Sequence, residues 1–250
     1  MKTLKSIALF ALTILLFSSC GSSKSLQNSL QYLHFDLDYE LTTDPYPGPV
    51  NQTVYLNSID NSNMEYYTIV KKTSNLVLPF IFFNYWHTKY PIVLGENSLT
   101  QPYREFLTDA LLAECNRSAC FNLESSDETL NSDSNFILEV KILHNHTQSG
   151  IQNSNTVFVI PSYSASVSFS TFISDVLPVL SDLEIAVYLK KGTHRLFEKT
   201  YTVHEDLNYN HTSSDTKEEC LLQMTECLSL ATKKIVEEIS NDLNIILLAQ

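Results

Sequence analysis

From Leu33 the chain alternates. Leu33, Phe35, Leu37, Tyr39 and Leu41 fall on one side, and His34, Asp36, Asp38 and Glu40 on the other. A period of two predicts a half-buried strand. The run DPYPGP at 44–49 is a rigid turn, and two further strands are expected near Thr53–Ser58 and Tyr66–Lys72. The period changes after Ser98. Ser98 and Gln101 have the spacing of a capping box, Pro102 suits a first turn, and Tyr103, Phe106, Leu107, Ala110 and Leu111 make one apolar stripe. A helix over 101–117 follows, then a short strand Cys120–Leu123 and an acidic loop over 124–135. Alternation returns at Phe136, Leu138, Val140 and Ile142, stops in a polar stretch from His144 to Asn155, and resumes over Thr156–Ile160.

Tyr163, Ala165, Val167 and Phe169 then alternate with Ser164, Ser166, Ser168 and Ser170, a small and wettable face. Leu183, Ile185, Val187 and Leu189 form another core edge, and Lys191, Gly192 and Thr193 turn the chain back into Arg195–Val203. The last pattern is helical. Leu221, Met224, Leu228, Ala231, Ile235, Ile239 and Leu243 recur at three and four, with Asp215 as the cap of a helix over 216–242. The fold class is therefore α+β: a mainly antiparallel sheet with two amphipathic helices packed on one face, in a single domain over 32–250.

One segment stands apart from these periods. Residues 76–94 (LVLPFIFFNYWHTKYPIVL) hold Phe80, Phe82, Phe83, Tyr85, Trp86 and Tyr90. They read either as a buried hairpin or as a patch that meets lipid, a ligand or a partner protein, since Trp and Tyr suit an interface with one wet end.

The first nineteen residues have the order of a secretory leader. Lys2 and Lys5 precede the apolar run Ile7–Phe17, and Ser18 and Ser19 lead to Cys20. That run is too short to span about 30 Å of hydrocarbon as a helix. Residues 20–31 are rich in Ser, Gln and Asn and read as a tether. Removing the leader takes the net charge from −12 to −14, and no Lys/Arg block is present. A nucleic-acid partner is excluded on that balance.

Cys115, Cys120, Cys220 and Cys227 remain in an exported chain. Cys220 and Cys227 lie on one predicted helix about 10.5 Å apart, beyond the roughly 7 Å limit for a bridge. Cys115 with Cys120, bridges between the helices, and buried free thiols stay open. The glycines are five, and the closest pair, Gly21 and Gly48, is 27 positions apart. Phosphate-cradling loops and the G-x-S-x-G elbow need closer glycines, so nucleotide binding and α/β-hydrolase chemistry are not supported. His144 and His146 share a strand face but are too few for a zinc site. No catalytic residue, metal site or cofactor is assigned, and the chain is not expected to be an enzyme.

The small pair before Cys20 resembles the lipobox of bacterial lipoproteins. That resemblance implies cleavage before Cys20, a diacylglyceryl thioether on its sulfur and an acylated amine. With no Asp beside Cys20, it implies the outer membrane, periplasm-facing. Residues 95–123 (GENSLTQPYREFLTDALLAECNRSACFNL) are similar to uncharacterised outer-membrane lipoproteins of Bacteroides-type envelopes. More remotely, the order of elements resembles the auxiliary lipoproteins of ABC-type lipid transporters and the lipopolysaccharide-assembly lipoprotein. The expected function is a membrane-anchored, non-enzymatic accessory or scaffold in envelope assembly or transport, with an envelope protein as partner. A periplasmic lipid- or glycan-binding module is the alternative.

Overall fold

The computed structural model describes residues 32–50, 52–60, 68–69, 72–78, 83–126, 135–161, 166–207 and 216–249. Eight strands form one sheet: β1 (Gln52–Leu56), β2 (Thr68–Ile69), β3 (Lys72–Leu78), β4 (Phe83–Val93), β5 (Phe121–Ser125), β6 (Phe136–Pro161), β7 (Ser166–Lys191) and β8 (His194–Leu207). Among the described residues two α-helices accompany it, α1 (Tyr103–Ser118) and α2 (Thr216–Leu248). The protein is α+β with most of its structure in strands.

β6 is the axis of the sheet. β7 runs antiparallel along one of its edges from Phe136 to Pro161. The other edge is shared. β1 pairs with its first residues, Phe136–Leu138, and β4 pairs with it over Gln148–Phe158. β8 lies outside β7, β3 and β2 outside β4, and β5 outside β1. β1 is parallel to both β5 and β6. Five of the seven pairings among the described residues are antiparallel, as the sequence leads one to expect, but the two made by β1 are parallel, so the sheet is mixed. The cause is that β2–β4 and α1 intervene between β1 and its two partners, and such long crossovers bring the chain back in the same direction.

One side of the sheet body is buried in register: Val54, Leu56, Phe121, Leu123, Phe136, Leu138, Val140, Ile142, Leu183, Ile185, Val187 and Leu189. α2 lies against β6, β7 and β8, and α1 against α2 and β5. The helical stripe read from the sequence is buried throughout, from Leu221 to Leu243. Each such side chain contributes about 1.5–3 kcal/mol relative to exposure, so α2 is the main source of cohesion. Polar pins fix its position. The Tyr103 and Thr232 hydroxyls are 2.9 Å apart between the helices, and so are those of Ser118 and Ser240. On the sheet side, Asp242 Oδ2 accepts hydrogen bonds from Lys199 Nζ at 2.7 Å and Tyr201 Oη at 2.8 Å.

Two local expectations are corrected. Phe35 makes an isolated parallel bridge to Leu99, which lies outside the strands, and Leu33–Leu41 pairs with no strand of the sheet. It lies across the helices, where the Asp38 amide donates to Ser229 Oγ and the Tyr39 hydroxyl to Glu114 Oε2. Its alternation records one side pressed on helices rather than on a strand. The capping box does not form either. Glu96–Ser98 make a 3-10 turn, the bridge holds Leu99 extended, and α1 starts after Pro102 with no side-chain cap.

Leu228→Ala is expected to destabilise the fold by about 2–5 kcal/mol, read as a lowered urea midpoint. Asp242 sets an acid limb. Partial burial opposes its ionisation, but the hydrogen bonds from Lys199 and Tyr201 and the Lys199 charge outweigh it and hold the pKa below the ordinary 3.8. A depressed acid stabilises the fold above its unfolded pKa and loses that contribution as pH falls through the folded one. Asp242→Asn should therefore be less stable than wild type near neutrality, and the gap should close below pH 3.8.

Candidate functional site

Beyond the helix-backed body, β3, β4, β6 and β7 continue as a four-stranded antiparallel blade. The buried core reaches Ile92 on β4, Ile151 on β6 and Val179 on β7. Among the described side chains it includes none of 72–76, 83–89, 152–159 or 168–175. The backbone ladders nonetheless run unbroken across all four strands there.

Register places two different surfaces on the blade. Residues directly opposite in an antiparallel ladder share a face. On one face Phe83, Phe158 and Phe169 form a row; the next row is Leu76, Tyr85, Thr156 and Thr171; then Ser74, His87, Ser154 and Ile173. The other face carries Asn84, Val157 and Ser170, then Asn75, Trp86, Asn155 and Phe172, then Thr73, Thr88, Asn153 and Ser174. This second face continues the side that α2 covers lower down, where Tyr90 and Ile92 are buried. Leu76, Phe169, Phe172 and Ile173 are 52%, 59%, 66% and 54% exposed, so the apolar groups are presented to the surroundings rather than packed on the chain itself.

The charge pattern is as distinctive as the burial. No Asp, Glu, Lys or Arg occurs from Thr73 to Thr88 or from Ile142 to Ser174, in a chain with 18% charged residues. Charge reappears at the root of the blade, in the row Lys72, Lys89, Gln152 and Asp175. On the polar face Thr73 and Thr88 hydroxyls are 3.3 Å apart, and Ser174 Oγ donates to Asn153 Oδ1 at 2.8 Å. The amide oxygens of Asn84 and Asn155 are out of solvent with no hydrogen-bond partner. The outer edge of β3 and the outer edge of β7 from 166 to 178 carry no strand among the described residues.

The sequence-selected aromatics divide around this geometry. Phe83 and Tyr85 are half-buried on the apolar face, Trp86 is half-buried on the polar face, and Tyr90 is buried at the root. Phe80 and Phe82 lie outside the described residues, as does Cys20. Sequence reading missed Phe158, Phe169, Phe172 and Ile173 as members of the same surface. The signal was the serine alternation, which marks a strand with one small polar side.

The rest of the chain's chemistry is structural. The four described cysteines are free and buried, the arrangement left open beside a Cys115–Cys120 bridge. Cys115 hydrogen-bonds Ser240 while Cys120 donates to Asn244, one turn farther along α2, about 6 Å away. Glu114 is buried and accepts from Tyr39 at 2.9 Å and Thr43 at 2.6 Å, which holds the 33–43 segment to α1. His144 and His146 rings stack at 5.9 Å. Among the described residues no group of three or more His, Cys, Asp or Glu converges to hold a metal ion. His204 Nδ1 lies 2.5 Å from Asp182 Oδ1 on the exposed β7–β8 hairpin. The hydrogen bond to Asp182 and its charge raise the His204 pKa there, without the dry surroundings a reaction site needs. No described helix is long and apolar enough to cross a membrane.

No protein-family model matches the sequence, and no curated protein matches it. Among solved structures the chain is similar to protein XCC0632 from Xanthomonas campestris, family-model DUF330. The TM-score is 0.39 at 10% identity, covering 85% of this chain and 95% of that one.

Burial pushes the thiols of Cys115 and Cys227 up to about 12 and that of Cys220 up to about 11. Because the thiolate is the reactive form, native protein should react very slowly with an aromatic disulfide reagent at pH 8. Denaturation should release all four thiols; fast native labelling of Cys115 would contradict this burial.

Proposed function

We propose that this chain is a lipid-anchored, non-enzymatic component of an envelope assembly or transport machine, with the β blade as its working surface. The observation that carries the reading is the blade itself: two hairpins that leave the helix-backed body, without charge, with aromatic side chains turned outward. Exposed apolar surface on this scale is characteristic of a contact site. The body supplies rigidity to that surface through the β6–β7 ladder, which continues from it past two bulges.

The leader and Cys20 support attachment at the outer membrane, facing the periplasm. Two or more acyl chains are needed for a stable anchor, since each buried methylene contributes about 0.8 kcal/mol. With a charge of −12 the chain has no electrostatic means of holding anionic lipid or nucleic acid. The fold supports the reading in one further respect. If both helices back one face, as in the small auxiliary lipoproteins that the order of elements resembles, the opposite face and the whole blade are left for contact.

A second reading, a module that binds lipid or glycan, is favoured by one row. Trp86 and Phe172 flank Asn155 on the polar face, and the amide oxygens of Asn84 and Asn155 lack partners. Aromatic rings beside amides suit a sugar or a headgroup. Native mass spectrometry of the purified protein separates the readings, because a binding module carries extra mass.

The anchor has a direct test. Cells fed an alkyne-bearing palmitate should label the wild-type chain, and Cys20→Ala should carry no label. A labelled Cys20→Ala chain would remove the anchor from the proposal.

A further inference from the structure

We infer that the blades of several copies of this chain join edge to edge and close into a membrane-spanning β-barrel, each copy supplying two hairpins. The inference rests on the envelope reading only for what brings the chain to a bilayer. Length is the first argument. A tilted membrane strand needs about 9–11 residues; beyond the charged row the ends of β6 and β7, 153–161 and 166–174, are nine residues each, and the described parts of β3 and β4, 73–78 and 83–88, are six each. The second is alternation. Phe83, Phe158, Phe169, Leu76, Tyr85 and Ile173 fall on one face with Ser, Thr and His87 between them, and the other is richer in amides and hydroxyls (Asn84, Asn155, Ser170) but also carries Trp86, Val157 and Phe172. Apolar outside and polar inside is the pattern of strands that separate lipid from an aqueous lumen. The third is the boundary. Lys72, Lys89 and Asp175 stand in one row at the root, where the hydrocarbon would end and headgroups begin.

The edges decide the oligomeric form. One blade is an open sheet, and unpaired N–H and C=O groups are not tolerated in hydrocarbon, where only helices and closed barrels span. The unpaired edges are β3 on one side and the outer half of β7 on the other. β3, β4, β6 and β7 alternate in direction, so β3 and β7 run opposite ways. A neighbour's β3 laid on β7 therefore extends the same antiparallel ladder. Such a contact is heterologous, and repetition closes it into a ring. Strands are added four at a time, and both edges vanish. The amide oxygens of Asn84 and Asn155, without partners in one chain, belong to the face that becomes wet.

The chain has a single tryptophan, Trp86, so the test uses Trp86→Phe as its background. Full-length acylated protein is reconstituted into phosphatidylethanolamine and phosphatidylglycerol vesicles carrying brominated acyl chains. In that background a Phe169→Trp probe should be quenched several-fold more strongly by the brominated lipid than a Ser170→Trp probe, and the latter should be quenched by aqueous iodide. In planar bilayers the wild-type chain should give stepwise conductance. Phe169→Arg should abolish it, whereas Ser170→Arg should keep the steps and shift ion preference toward anions. Should the chain float with the vesicles while both probes stay in water and no conductance appears, the barrel is overturned and the anchor is not. A soluble partner protein captured on the blade, with no lipid quenching, overturns it as well. Conductance without a lipid label on Cys20 would keep the barrel and remove the anchor.

Discussion

The reach of α2 across the sheet determines everything else in this molecule. Its 33 residues extend about 50 Å at 1.5 Å per residue. β6 and β7 have 26 residues each, about 88 Å at 3.4 Å per residue. A helix of that length cannot cover strands of that length, and a sheet face needs cover to form a core. The residues follow the cover. Under α2 the strands are written in Leu, Ile and Val; past its first turn they change to Ser, Asn, Thr and Phe. The blade is held by its backbone ladders and cross-strand pairs, and the body by burial.

The junction between the two regimes is built at Ser149, Gly150 and Ile151. Cys220, in the first turns of α2, hydrogen-bonds Ser149 and the Gly150 backbone. Ser149 donates to the Leu177 carbonyl at 2.8 Å. The ladder shifts register here: between Gln148 and Gly150 β6 advances two residues while β7 advances three. That extra residue reverses the parity of β7. Val179 and Ser181 face the helix below it, and Val176 and Ser174 take the same side above it. Gly150 sits where strands approach closely, since a Cβ there would lie 2.7 Å from the Tyr90 carbonyl oxygen.

This junction also explains what was legible beforehand. Elements with one clean period were read at close to their true positions: the stripe of α2, the Phe106–Leu111 face of α1, the Phe136–Ile142 alternation and the Gly192 hairpin, whose glycine has a φ of 56°. What failed was continuity. Bulges after Ile142 and Gln148 break the alternation, and neutral polar residues fill His144–Asn155, so one 26-residue strand reads as two short ones and a loop. The parallel pairing of β1 left no local mark, because register across a crossover is a property of distant residues. The aromatic block drew attention by composition alone. Its partners Phe158 and Phe169 lie more than seventy residues away in sequence, where nothing but pairing unites them.

The division of charge gives the molecule its direction. Acidic and basic residues are kept on the body, where Lys190 meets Glu139 and Lys199 meets Asp242, and are absent from the stretches that form the blade. Long uncharged edge strands are a hazard, and proteins that do not use them normally place a Lys, a Pro or a bulge on the edge. Here β7 runs from Ser166 to Ser174 with no such guard, and the first charge comes only at Asp175. Selection against aggregation would remove that arrangement from a protein meant to stay solitary in water. An unguarded edge beside exposed apolar side chains is the feature that the proposed edge-to-edge assembly would use.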